Sequence, residues 1–134
     1  MSATSEYMLL FRGNDWQKSL SPEQMQEVAG QMMAWFKRLA DRGIVLAGSP
    51  LDNQGKVVSG KNGRVVADGP FAESKEAVGG YFLLRVNTME ESVEIAKQCP
   101  MLAYGGKVEV RQVLDECPFS GEAVPEIETA AATA

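Results

Sequence analysis

Apolar residues along the chain change period several times, and each change marks an element. In "EYMLLFR" (6–12) every residue from Tyr7 to Phe11 is apolar, with Tyr7, Leu9 and Phe11 on one face and Met8 and Leu10 on the other. That is a strand buried on both faces, hence a central one. A polar connector, "NDWQKS" (14–19), leads to "LSPEQM", which spells a helix start. Ser21 takes the N-cap, Pro22 the first helical position, Gln24 closes a capping box, and Leu20 and Met25 form a staple. The helix is expected from Pro22 to about Arg42. Met25, Val28, Ala29, Met32, Phe36, Leu39 and Ala40 make its stripe, and Gly43 stops it in the left-handed conformation. Trp35 and Met33 fall off that stripe and are expected to be partly exposed.

The period then returns to strands. "GIVLAGSPL" (43–51) is the second, and "QGKVVSGKNGRVVAD" (54–68) reads as a hairpin with Asn62-Gly63 as a two-residue turn. "GYFLLRV" (80–86) is a further strand with both faces apolar. Thr88 then caps a second helix, with Glu91 closing its box and Met89, Val93 and Ala96 on its buried face. Pro100 ends it, and "KVEVRQVL" (107–114) is the last strand. The order is β-α-β-(hairpin)-β-α-β, an α+β, ferredoxin-like pattern. Two helices cover one sheet face. The other face is apolar as well and has no helix left to cover it, so a second copy is expected there, making a face-to-face homodimer. The domain is read as residues 1–114. The Pro-, Glu- and Ala-rich stretch 115–134 is read as a C-terminal tail.

Composition narrows the function more than it widens it. Thirteen Lys and Arg against 18 Asp and Glu leave −5, with no basic stripe, so direct nucleic-acid binding is not expected. No apolar run is long enough to span a bilayer, and "MSATSEYMLLF" lacks the basic region of a signal peptide, so a cytoplasmic location and no membrane contact are expected. There is no histidine, which removes the commonest general base and metal ligand. With only Cys99 and Cys117 as thiols, neither a metal site nor a cofactor is expected.

The connector "ADGPFAESKEAVGG" (67–80) is richer than a turn requires. Gly69 and Pro70 make a rigid bend after Asp68, and Gly79-Gly80 allow a bend or a close backbone approach. Two roles for Asp68 stand side by side: a clamp that accepts loop N–H groups, or a carboxylate at the mouth of a cleft, able to move a proton. Phe71, Glu73 and Lys75 belong to the same loop. Arg12, Arg85 and Arg111 lie in apolar strands and must each find an acid or an anionic ligand.

The motifs "DGPFAESKE", "GGYFLLRV" and "YGGKVEVRQV" carry a resemblance to the YCII-related family, in the branch named for the Asp-Gly-Pro-Phe motif. The likeness covers about residues 6 to 114. It implies a dimeric α+β barrel in a small bacterial protein, with Asp68 at the position of the family's proposed acid/base aspartate and no histidine beside it. It also implies a partnership with sigma factors, since the motif branch occurs beside or fused to them. Two functions follow as expectations. The first is a homodimer that binds a small acidic or aromatic metabolite in a cleft beside the loop, with Arg12, Phe71, Glu73, Lys75 and Arg85 as contacts. The alternative is a lyase or isomerase, dehydrochlorinase-like, with Asp68 moving the proton.

Overall fold

The computed structural model describes residues 5–13, 15–69 and 77–125. Four strands form one antiparallel sheet: β1 (Ser5–Arg12), β2 (Val45–Pro50), β5 (Val78–Val86) and β6 (Lys107–Val113), in the order β2-β5-β1-β6. The two strands buried on both faces in sequence, β1 and β5, are the two central ones, as their composition requires. Two helices, α1 (Pro22–Asp41) and α2 (Met89–Ala96), connect them, giving the ferredoxin-like α+β arrangement. Among the described residues the remaining strands, β3 (Lys56–Ser59) and β4 (Val65–Asp68), pair only with each other.

Local sequence sets the ends of α1. The Ser21 hydroxyl accepts from the Gln24 N–H at 3.2 Å, and the Gln24 side chain accepts from the Ser21 N–H at 2.8 Å. At the other end Gly43 has φ +74°, and the Ile44 N–H returns to the Leu39 carbonyl at 2.9 Å. A positive φ there suits glycine and closes the helix. In α2 the Thr88 hydroxyl caps the Glu91 N–H at 3.1 Å. No bond returns from the Glu91 side chain among the described residues, so that cap is half a box.

The core lies between the sheet and its helices. Tyr7, Leu9 and Phe11 of β1 and Phe82, Leu84 and Val86 of β5 are buried there. Trp35 corrects the expectation of exposure: it is fully buried, and its indole N–H donates to Gln98 at 3.3 Å. The stripe on α1 is centred on Val28, Met32, Trp35 and Leu39, spaced four, three and four, while Ala29 and Ala40 are exposed. Those spacings return to one face at 3.6 residues per turn, so Trp35 is at the middle of the stripe rather than off it. On α2 the buried residues are Ser92, Ile95 and Ala96 instead of the Met89 and Val93 expected. The Ser92 hydroxyl is satisfied by the Met89 carbonyl at 2.7 Å, which lets a polar residue occupy the core side.

The hairpin also differs from expectation. Ser59 pairs with Val65, so five residues, Gly60 to Arg64, make the connection rather than two. Asn62 and Gly63 keep their positive φ, 64° and 68°, inside a short 3₁₀ turn.

Candidate functional site

α1 stands away from the β2–β5 side of the sheet and leaves a cavity of about 530 Å³ beneath it. Its floor is aromatic. Phe82 meets Phe11 at 4.9 Å and Phe36 at 5.1 Å between ring centroids, both edge-on, the preferred geometry for such rings. Met25, Met32 and Met33 line it from α1, Met101 from the segment after α2, and Trp16 and Gln17 from the short 3₁₀ helix Asp15–Ser19. None of the described lining residues carries a charge.

Two strand glycines make this floor. A Cβ at Gly48 would lie 2.7 Å from a Phe82 ring carbon and 2.9 Å from one of Phe36, so only glycine lets both rings meet over β2. At Gly80 a Cβ would approach the Ser49 carbonyl at 3.1 Å, the close backbone approach that the paired glycines imply. The chain re-enters the sheet beside this cavity. Gly13, on its rim, donates its N–H to the carbonyl of buried Ala77 at 3.3 Å. Ala77 therefore lies at the cavity's edge.

Of the residues singled out in the sequence, Asp68, Arg12, Arg85 and Arg111 do not line this cavity. Asp68 ends β4 on the exposed hairpin and is ion-paired across it with Lys56; side-chain exposure is 73 % and 65 %. Among the described residues it accepts no loop N–H. Phe71, Glu73 and Lys75 lie outside the described residues. Arg12 bonds Glu109 at 2.6 Å, and Arg111 reaches the same carboxylate at 3.5 Å. Arg85 pairs with Glu6 at 3.4 Å. All three arginines thus meet acids, on the face of the sheet that the helices leave bare. Conversely, nothing in the sequence pattern assigns Trp16, Gln17 or Met101 to a site; Met25 and Met32 fall on the stripe of α1, and Met33 off it, as expected from its 56 % exposure. The signal that could have found the cavity is the pair of strand glycines.

An exposed ion pair of this kind is worth about 0.2–1 kcal/mol. Asp68→Asn is therefore expected to lower stability by no more than about 1 kcal/mol, measured by urea unfolding.

The two thiols differ sharply. Burial pushes the Cys99 pKa up to about 11, and its thiol sits 3.8 Å from the Met32 sulfur. The Phe119 backbone N–H, followed by Ser120, lowers that of Cys117. Iodoacetamide at pH 8 is expected to label Cys117 and spare Cys99, as peptide mapping would read. The folded Cys99 holds its proton more tightly than the unfolded chain does. Stability is accordingly expected to fall as pH rises from the ordinary 9.0 to about 11.

The model of the YCII-related domain matches residues 6–119, which is every strand and both helices. The chain belongs to the YCII-related family. None of the curated proteins compared with it matches. The YCII-related domain of this chain thus takes in the ferredoxin-like sheet, the β3–β4 hairpin, the 3₁₀ segment bearing Trp16 and Gln17, and the first residues after β6. Among the described residues there is no cluster of His, Cys, Asp and Glu fit to hold a metal, and no helix long and apolar enough to cross a membrane.

Proposed function

We propose that this YCII-related protein is a homodimer that binds a small, uncharged, aromatic metabolite in the cavity under α1. The observation that carries the reading is the cavity itself. Its size lies within the range of small-molecule sites, and such sites are mostly apolar with few polar groups. Three phenyl rings and four methionines suit a flat apolar ligand, since thioethers adapt to shape and favour contact with aromatic rings. An acidic metabolite would bury its charge among neutral side chains, which is costly. Of the two ligand classes expected from the sequence, the aromatic one is favoured.

The dimer rests on the bare face of the sheet. Met8 and Leu10 of β1 stand beside Leu83 and Tyr81 of β5, all four half-buried, between the Arg12–Glu109–Arg111 and Glu6–Arg85 ion pairs. An apolar centre with a charged rim is the pattern of a protein interface. The Asp-Gly-Pro-Phe motif at 68–71 adds, as part of the same reading, the branch named for it, a bacterial cytoplasmic setting and a regulatory link to a sigma factor. No observation favours the proton-transfer alternative: Asp68 is exposed, paired with Lys56 and outside the cavity lining.

Methyl-labelled methionine tests the site. Adding naphthalene is expected to shift the methyl signals of Met25, Met32, Met33 and Met101 and to leave Met8 and Met89 unmoved. Shifts spread equally over all six, or none at all, would remove the cavity as the site.

A further inference from the structure

Among the described residues, the β3–β4 hairpin forms a sheet of its own, apart from the four-stranded one. Val58 and Val66 face each other across it and are 62 % and 61 % exposed; Val57 and Val65, on its other face, are about half exposed. A two-stranded hairpin is marginal alone in water, so four uncovered valines require something to cover them. The hairpin is also basic. Between residues 56 and 68 stand Lys56, Lys61 and Arg64 against Asp68, a net +2, so the rest of the chain carries −7 of the total −5.

A surface of opposite character lies just after β6. There the chain folds back on itself: Glu116 bridges Ala123, and the Val124 N–H bonds the Asp115 carbonyl at 2.8 Å. This turn exposes Leu114, Phe119 and Val124, and Phe119 is 97 % exposed. Its charges are Asp115, Glu116 and Glu122, with no cation between 114 and 124. Apolar and acidic, it matches the apolar and basic hairpin. The bare sheet face is a poorer match, because Arg12, Arg85, Lys107 and Arg111 outnumber Glu6 and Glu109 there.

The two surfaces of one chain do not meet. The hairpin leaves the sheet after Pro50 of β2, and the turn leaves it after Val113 of β6. β2 and β6 are opposite edges, roughly 14 Å apart at about 4.8 Å per strand. They are left at opposite ends too: Pro50 pairs with Gly80, which lies opposite Phe11, whereas Val113 pairs with Glu6. Hairpin and turn therefore occupy diagonal corners. A two-fold axis in the plane of the sheet, along the other diagonal, exchanges those corners and brings each turn over the partner's hairpin. The strands of the two sheets then cross near right angles, a known way for sheets to pack. The contact occurs twice, as two-fold symmetry demands.

We infer that in the homodimer the Val58/Val66 face of each hairpin docks on the Leu114–Val124 turn of the second copy. The contact rests on the dimer proposed above, and it adds a specific pair of surfaces to it. It also gives the second copy a reason to be this chain and no other, since both complementary surfaces are encoded in it.

Cys117 lies within the turn and supplies the test. In Val66→Cys, mild oxidation of the dimer is expected to join residue 66 to Cys117 of the second copy and give a covalent dimer on a non-reducing gel. The band is expected to vanish in Val66→Cys with Cys117→Ser. It is also expected to be absent in Leu46→Cys, an exposed position outside both surfaces. Sedimentation of the wild type separates the two claims. A monomer would sink the dimer and the docking together. A dimer whose Val66→Cys form does not cross-link, or cross-links equally without Cys117, would overturn the docking alone.

Discussion

Leu84→Glu is expected to abolish the fold, while Leu10→Glu leaves it intact and releases monomers. Leu84 is fully buried between β5 and the helices, whereas Leu10, on β1, is half-buried on the face the helices leave bare. Removing a buried leucine costs about 2–5 kcal/mol. An unpaired carboxylate in its place adds a desolvation cost of at least several kcal/mol. Together these approach or exceed the roughly 5–15 kcal/mol that holds a typical domain. At Leu10 the same carboxylate reaches water in the free chain and would lose it only in the proposed dimer. Circular dichroism of both variants, with sedimentation of the Leu10 variant at low micromolar concentration, separates the outcomes. A folded Leu84→Glu protein would contradict the core. A dimeric Leu10→Glu protein would move the interface off the bare face.

That contrast depends on alternation along β1 and β5, and alternation was legible in the sequence. Five consecutive apolar residues from Tyr7 to Phe11 are enough to say that both faces of β1 are covered, and the two central positions in the sheet follow. The ends of α1 were equally plain, because Ser21, Gln24 and Gly43 act through bonds only three to five residues long. What the sequence did not fix was rotation and distance. On α1 a stripe drawn through Met25, Ala29 and Phe36 misplaces the buried face by a fraction of a turn, enough to put Trp35 outside it. Asn62-Gly63 gave the correct dihedrals but not the loop length, since the pairing of Ser59 with Val65 is a contact between strands. The cavity was the least legible feature. It depends on how far α1 stands from β2 and β5, and only Gly48 and Gly80 left a trace of it in the chain. Asp68 drew attention as part of a motif, but its surroundings come from Lys56, twelve residues away on the paired strand.

Ala29→Trp is expected to abolish ligand binding without unfolding the protein. Ala29 is exposed on α1 at the cavity's lining, one turn from Met25 and from Met33, so an indole there occupies the space a ligand would take. Because the position is outside the core stripe, the substitution costs only the difference in helix propensity, roughly 0.5 kcal/mol. The most direct measurement is a fluorescence titration of the uncharged probe N-phenyl-1-naphthylamine into wild type and Ala29→Trp, with thermal melts of both as control. Saturable binding of one probe per chain to the wild type, lost in an Ala29→Trp protein that melts within a few degrees of it, is the predicted result. No saturable binding to the wild type, or equal binding to the filled variant, would contradict the claim that the cavity under α1 is the ligand site.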